Sequence, residues 1–148
     1  MQGPHRRKLN LGPLTEYVGY ALRRAQLATV ARFLGALQDV DLRPTQFAVL
    51  TVIKENPGVR QSEAGAALGI QKANFVPLLN ELQRRGLAVR KAGISDRRSS
   101  ALHLTPDGEA LLQRARALHD TYESGIADRL GSRGRNQLLE LLNRLIEN

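Results

Sequence analysis

At 148 residues the chain has the size of one domain, large enough to bury a core and too short to carry a separate catalytic unit beside a binding unit. Lysine and arginine outnumber aspartate and glutamate by 22 to 14, and the formal charge of +8 points to a polyanionic partner. Cysteine is absent, which excludes disulfides, thiolate metal sites and thiol oxidation as a signal. No apolar run of membrane-spanning length and no secretory leader is present, so the cytoplasm is the expected location.

Residues 1–13 carry His5, Arg6, Arg7 and Lys8 among glycines and prolines and read as a flexible basic arm. From 14 to 40, apolar residues including Leu14, Val18, Leu22, Phe33 and Leu37 recur at helical spacing, which predicts one helix roughly 40 Å long at about 1.5 Å per residue. Arg43 and Pro44 punctuate the chain, and Phe47, Leu50 and Ile53 mark a short helix that stops before Asn56, Pro57 and Gly58. A second short helix is expected over 61–68, a tight turn at Gly69 and Ile70, and a third helix over 71–85 ended by Gly86 in a left-handed cap position. Phe75, Leu78, Leu79 and Leu82 form that helix's buried stripe, which leaves Gln71, Lys72, Asn74 and Val76 for an outer face. Pro77 predicts a bend or irregular first turns, since proline inside a helix costs about 3 kcal/mol.

Two alternating segments then flank a charged tip, Asp96, Arg97 and Arg98. They read as a β-wing in which Leu87 and Val89 face Leu102 and Leu104. Thr105 caps a helix with Pro106 in its first turn, carried by Leu111, Leu112, Ala115 and Leu118 to about residue 129. A last helix opens at Ser132 and lines up Leu138, Leu141, Leu142 and Leu145. The fold class is mainly α with a small β-wing: a winged helix-turn-helix over 42–105, flanked by N- and C-terminal dimerisation helices over 14–40 and 106–148, with 14–148 forming a single domain.

A helix followed by a wing is an arrangement for duplex DNA. Gln71, Lys72 and Asn74 can offer complementary groups to base edges in the major groove, and Val76 can touch a thymine methyl. Gln61, Ser62, Arg90 and Lys91 are phosphate-contact candidates that set position without reading sequence. Arg97 and Arg98 suit the minor groove and its concentrated negative potential.

From residue 42 to 115 the chain resembles the MarR family of bacterial winged-helix transcription regulators. The resemblance is carried by LRPTQFAVLTVI at 42–53, QSE at 61–63, LGI at 68–70, LQRRGLAVR at 82–90, DRR at 96–98 and LTPDG at 104–108, in the family's order and spacing. It implies that Asp96 holds Arg98 extended through a charge-assisted hydrogen bond. It also implies a homodimer built by the terminal helices, an operator that is an imperfect inverted repeat of double-stranded DNA, and repression relieved by a small aromatic or acyl ligand, acyl-coenzyme A included. Tyr17, Tyr20, Arg23, Arg24 and Tyr122 are the candidate ligand residues, although the tyrosines could equally anchor a dimer core. No cofactor or metal is expected.

Two alternatives come from other classes. An architectural or non-specific DNA-binding protein would use the wing and arm only to track phosphates. An enzyme is disfavoured, because His5, His103 and His119 are scattered and no nucleophile elbow, phosphate loop or metal-ligand pair occurs.

Overall fold

A computed structural model describes residues 9–92 and 100–147. A short 3-10 turn at Gly12–Glu16 precedes α1 (Val18–Ala36), and a second at Gln38–Val40 follows it. The single helix expected over 14–40 is therefore interrupted twice. Tyr17 is extended, with φ −89° and ψ 127°, and Asp41 is left-handed at φ 48°, so the chain turns sharply before the reading head begins. The reading head comprises α2 (Pro44–Glu55), β1 (Val59–Arg60), α3 (Gln61–Ala67), α4 (Lys72–Arg84), β2 (Ala88–Ala92) and β3 (Ser100–Leu104). The final helix, α5 (Pro106–Ile146), runs on through a kink at Gly131, where φ is 70° and ψ 155°. That kink falls where a break between two helices is expected.

Turn and cap chemistry explains where these helices start and stop. The Arg43 N–H donates to Gln46 Oε1 and the Arg60 N–H to Glu63 Oε2, each at 3.0 Å, so the third residue of each helix satisfies a donor at its start. Gly69 is left-handed at φ 63°, and the Gly69 and Ile70 N–H groups return to the carbonyls of Ala66 and Gly65. This closes α3 and turns the chain into α4 within two residues.

The sheet is antiparallel in the order β1-β3-β2. β1 was not expected, because a two-residue strand shows no alternation to read. The wing register also differs from the expected one. Leu104 lies opposite Ala88, Leu102 opposite Arg90 and His103 opposite Val89, so Leu102 and Leu104 share a face with Ala88 and not with Val89. The reason is packing: Ala88 is small enough to bury completely against the core, and that fixes which face turns inward.

Pro77 does not disturb the start of α4. The helix runs unbroken from Lys72 to Arg84, and the Phe75 N–H reaches the Gln71 carbonyl at 3.0 Å in a regular first turn. Phe75, Leu79 and Leu82 are almost fully buried on the opposite side, and their burial, about 1.5–3 kcal/mol each, outweighs the local cost of the proline. The core is assembled from residues between Phe33 and Ala115, centred on Leu37, Leu50, Ile53, Phe75, Leu79, Leu82, Leu102 and Leu112. Both ends of the chain instead leave large apolar side chains exposed, among them Leu11, Leu14, Val18 and Leu22, and beyond the kink Leu138, Leu141, Leu145 and Ile146. No helix is long and apolar enough to cross a membrane among the described residues.

Candidate nucleic-acid interface

Two arginines hold the C-terminal half of the reading helix. At its C-terminal end, Arg85 donates from Nη1 to the Asp41 carbonyl at 2.7 Å and from Nη2 to that of Val40 at 3.3 Å, which ties α4 to the turn before α2. Arg90 on β2 turns its guanidinium inward. Its Nε donates to Gln61 Oε1 at 3.2 Å, and its Nη1 donates to Asn80 Oδ1 at 2.9 Å and to Gln83 Oε1. One side chain thus joins the start of α3, the middle of α4 and the wing strand. All three acceptors are amide oxygens, so the guanidinium charge is held without a carboxylate in that set. Each amide keeps an NH2 group that this clamp does not use.

The predicted contact residues fall into distinct places. Ser62, Gln71, Lys72, Asn74 and Lys91 are exposed, whereas Gln61, Val76 and Arg90 are half-buried. Asp96, Arg97 and Arg98 lie outside the described residues, as does the basic run 5–8. A cleft of about 500 Å³ between α3, the start of α4 and β3 brings Arg60, Gln61, Ser62 and Lys72 to one surface, with the Phe75 ring in its wall. Gly65 lies where α3 packs on α4, and a Cβ there would meet the Ile70 carbonyl oxygen and the Phe75 ring at 3.4–3.5 Å, ordinary van der Waals contact.

The ridge of α4 most directly opposite its buried stripe consists of Ala73, Pro77, Asn80 and Arg84, all exposed, while Lys72 and Asn74 flank it. Counting from the start of the helix missed this ridge. Measuring from Phe75 and Leu82 at 100° per residue would have found it. Arg84 is paired along the helix with Glu81, the Nη2–Oε1 distance being 2.7 Å.

The five ligand candidates divide into two groups. Tyr20 and Arg24 pair on α1: the guanidinium donates to the phenol oxygen at 3.1 Å and lies 5.9 Å from the ring centre. Tyr17 and Arg23 are exposed and close to that pair in sequence. Tyr122 sits apart, donating its hydroxyl to the Thr29 carbonyl at 3.3 Å. It belongs to an aromatic cluster at the junction of α1, α2 and α5. His119 stacks on Phe47 with centres 4.7 Å apart, and Phe33 meets Phe47, His119 and Tyr122 edge-on at 5.7–5.9 Å. Burial pushes the Tyr122 phenol above its ordinary range, and the neighbouring Glu123 carboxylate adds to the shift. Sequence reasoning did not assemble this cluster, because its members come from three helices and share no motif.

A short helix, a tight glycine turn and a second helix with an outward polar flank, backed by a three-stranded wing, define a winged helix-turn-helix protein of the DNA-binding class. The chain belongs to the MarR family of transcriptional regulators. The family model matches residues 40–99. The "Putative transcriptional regulatory protein for hcr operon" of Thauera aromatica is 32% identical over 135 residues, covering 90% of this chain and 81% of that protein. Among solved structures, the transcriptional repressor CouR bound to a 23-mer DNA duplex is 43% identical with a TM-score of 0.90, covering 95% of this chain and all of that one. CouR bound to p-coumaroyl-CoA is 41% identical, also with a TM-score of 0.90, over 95% of this chain and 99% of that one. The chain is accordingly a transcription regulator.

Proposed function

We propose that two copies of this chain bind an imperfect inverted repeat, seat α4 of each copy in successive major grooves and repress transcription until an aromatic acyl thioester releases them. The observation that carries the DNA part is the solvent-facing ridge and flank of α4, on a head that superposes on a repressor solved with duplex DNA. On this reading Gln71, Lys72 and Asn74 meet bases or phosphates from the flank. Ser62 and Lys72, with Arg60 beside them, face the backbone at the α3–α4 cleft, and Lys91 meets it from β2. Arg97 and Arg98 enter the minor groove, with Asp96 bracing Arg98. Arg90 serves by position: it holds α3, α4 and the wing in one geometry through the amide oxygens of Gln61 and Asn80, whose NH2 groups remain for the nucleic acid. The residues from 14 to 40 and from 106 to 148 supply the dimer contacts, and the place of action is the cytoplasm. The role requires no catalytic step.

For the effector, the aromatic cluster at the α1–α2–α5 junction offers edge and face contacts to an aromatic acyl group. Tyr20, Arg24, Tyr17 and Arg23 provide donors and positive charge for a thioester's polar portion. The relative solved with p-coumaroyl-CoA supports that ligand class. A ligand placed between dimer helices and reading head releases DNA by the difference in its affinity for the two head spacings.

Capture of fragmented host DNA by the purified protein at about 0.15 M salt, where exposed charges are screened within about 8 Å, tests the reading. Enrichment of a few promoters sharing an inverted repeat is expected. Even recovery across the genome would favour an architectural protein instead. Log affinity for the captured operator is expected to fall linearly with log salt, at a slope of about 0.9 per neutralised phosphate. Lys91→Ala is expected to make that slope shallower by about one phosphate, with little effect on sequence preference.

Arg90→Met is expected to behave differently from Lys91→Ala. It removes the shared donor of Gln61, Asn80 and Gln83, so specific affinity should fall by about tenfold, the equivalent of one charge-assisted hydrogen bond, while the salt slope stays near that of the native protein. A drop in slope equal to that of Lys91→Ala would instead make Arg90 a phosphate ligand.

A further inference from the structure

The centre of the α4 outer ridge is apolar where a reading helix would be expected to carry hydrogen-bonding groups. Ala73 and Pro77 stand four residues apart, both exposed, with Asn80 next along the ridge. Pro77 is unfavourable in a helix interior, and in the free protein it is exposed rather than packed into the core. Local rules broken at exposed positions without a packing return mark functional sites. The base edges of the major groove present hydrogen-bonding groups almost everywhere; their one large apolar feature is the thymine C5-methyl. Val76, the apolar residue first placed on this face, is half-buried at the side of the ridge and leaves the central position to Ala73 and Pro77.

Resting on the reading of α4 as the groove-entering helix, we propose that Ala73 and Pro77 are specificity-determining residues that read thymine methyl groups at the middle of each operator half-site. The Ala73 methyl and the Pro77 ring methylenes, four residues and so about 6 Å apart along the helix axis, form an apolar strip. A cytosine presents a hydrogen where thymine has its methyl, together with an amino donor that neither Ala73 nor Pro77 can accept through a side chain. Thymine's own O4 is left equally without a side-chain partner, so the strip selects thymine over cytosine by contact with the methyl alone. Asn80 lies beside the strip with its amide oxygen held by Arg90 at 2.9 Å, so it offers donors and suits a purine acceptor adjoining the thymine.

The test uses the full chain and a duplex operator obtained from it by selection from random sequence. Each thymine is replaced in turn by deoxyuridine, which removes only the C5-methyl. At one or two thymines per half-site, affinity is expected to fall about fourfold, the transfer effect of one buried methyl. In Pro77→Ser, a change that relieves the helix and leaves the fold at least as stable, the deoxyuridine effect is expected to disappear at one of those positions while the others persist. Equal binding of every deoxyuridine operator overturns the proposal, and so does an unchanged pattern of losses in Pro77→Ser. Failure to select any sequence would be a different result: it would overturn sequence-specific regulation itself, and this proposal with it.

Discussion

Gly108→Ala is expected to destabilise the protein by about 3 kcal/mol or more, lowering the thermal midpoint by roughly 10 °C. Gly108 is buried at the start of α5, and a Cβ there would lie 1.9 Å from the Leu87 carbonyl oxygen and 2.9 Å from its carbon. Those are backbone atoms, so no rotamer change relieves the clash. The same carbonyl accepts the Thr105 N–H at 3.1 Å. Thr105 Oγ1 donates to the Gly86 carbonyl at 2.6 Å and accepts the Gly108 N–H at 2.9 Å. Moving α5 away to admit a methyl group therefore strains the helix cap and the tie between α5 and the α4–β2 turn together. Gly125, in the same helix with nothing within 4 Å of its Cβ position, is the control. Gly125→Ala is expected to be neutral or stabilising by up to about 1 kcal/mol, since alanine is the better helix former. Thermal unfolding followed by circular dichroism at one protein concentration distinguishes the two. Equal midpoints for both variants would mean that α5 does not pack this closely on Leu87.

The contrast between these glycines shows what could be read before the fold was known. The LTPDG segment announces a helix start, because Thr105 and Pro106 act through local geometry. Gly108's role is set by Leu87, whose approach comes only from tertiary packing. The same division holds through the head. Gly69, Gly86 and the buried stripe of α4 were legible because turn chemistry and helical period are local. The wing register was not, since Ala88 and Val89 are both apolar and only the core decides which one turns inward. Pro77 misled in the other direction: its local cost is real, but Phe75, Leu79 and Leu82 fix the helix from the opposite face. Arg90 looked like a surface cation because its three amide partners come from α3 and α4, far from it along the chain or on another face. The aromatic cluster was invisible for the same reason, with Phe33, Phe47, His119 and Tyr122 spread over about ninety residues.

The double substitution Leu141→Glu and Leu145→Glu is expected to convert a dimer into a folded monomer and to lower operator affinity by about 10²-fold or more. These side chains are 46% and 63% exposed in the single chain, and with Leu138 and Ile146 they continue an apolar surface that the N-terminal Leu11, Leu14, Val18 and Leu22 match at the other end. Apolar surface at this scale marks an interface, and a second copy with the same surface supplies one through two-fold symmetry. Symmetry counts each substitution twice, so four carboxylates enter one contact region. The reading head is expected to survive, because the buried core ends at Ala115 and draws nothing from the segment beyond the kink at Gly131. The loss of affinity then has one origin. Two half-sites held by a rigid dimer bind as one event, and two monomers must pay the cost of association separately. Sedimentation gives the mass, circular dichroism the helix content, and titration of a half-site against a full operator separates intrinsic contact from avidity. Native half-site affinity with a collapsed full-site affinity is the expected pair of results. A variant that remains dimeric with full operator affinity would place the dimer contact elsewhere on the chain, and loss of half-site binding with retained helix content would mean that the terminal helices shape the reading head directly.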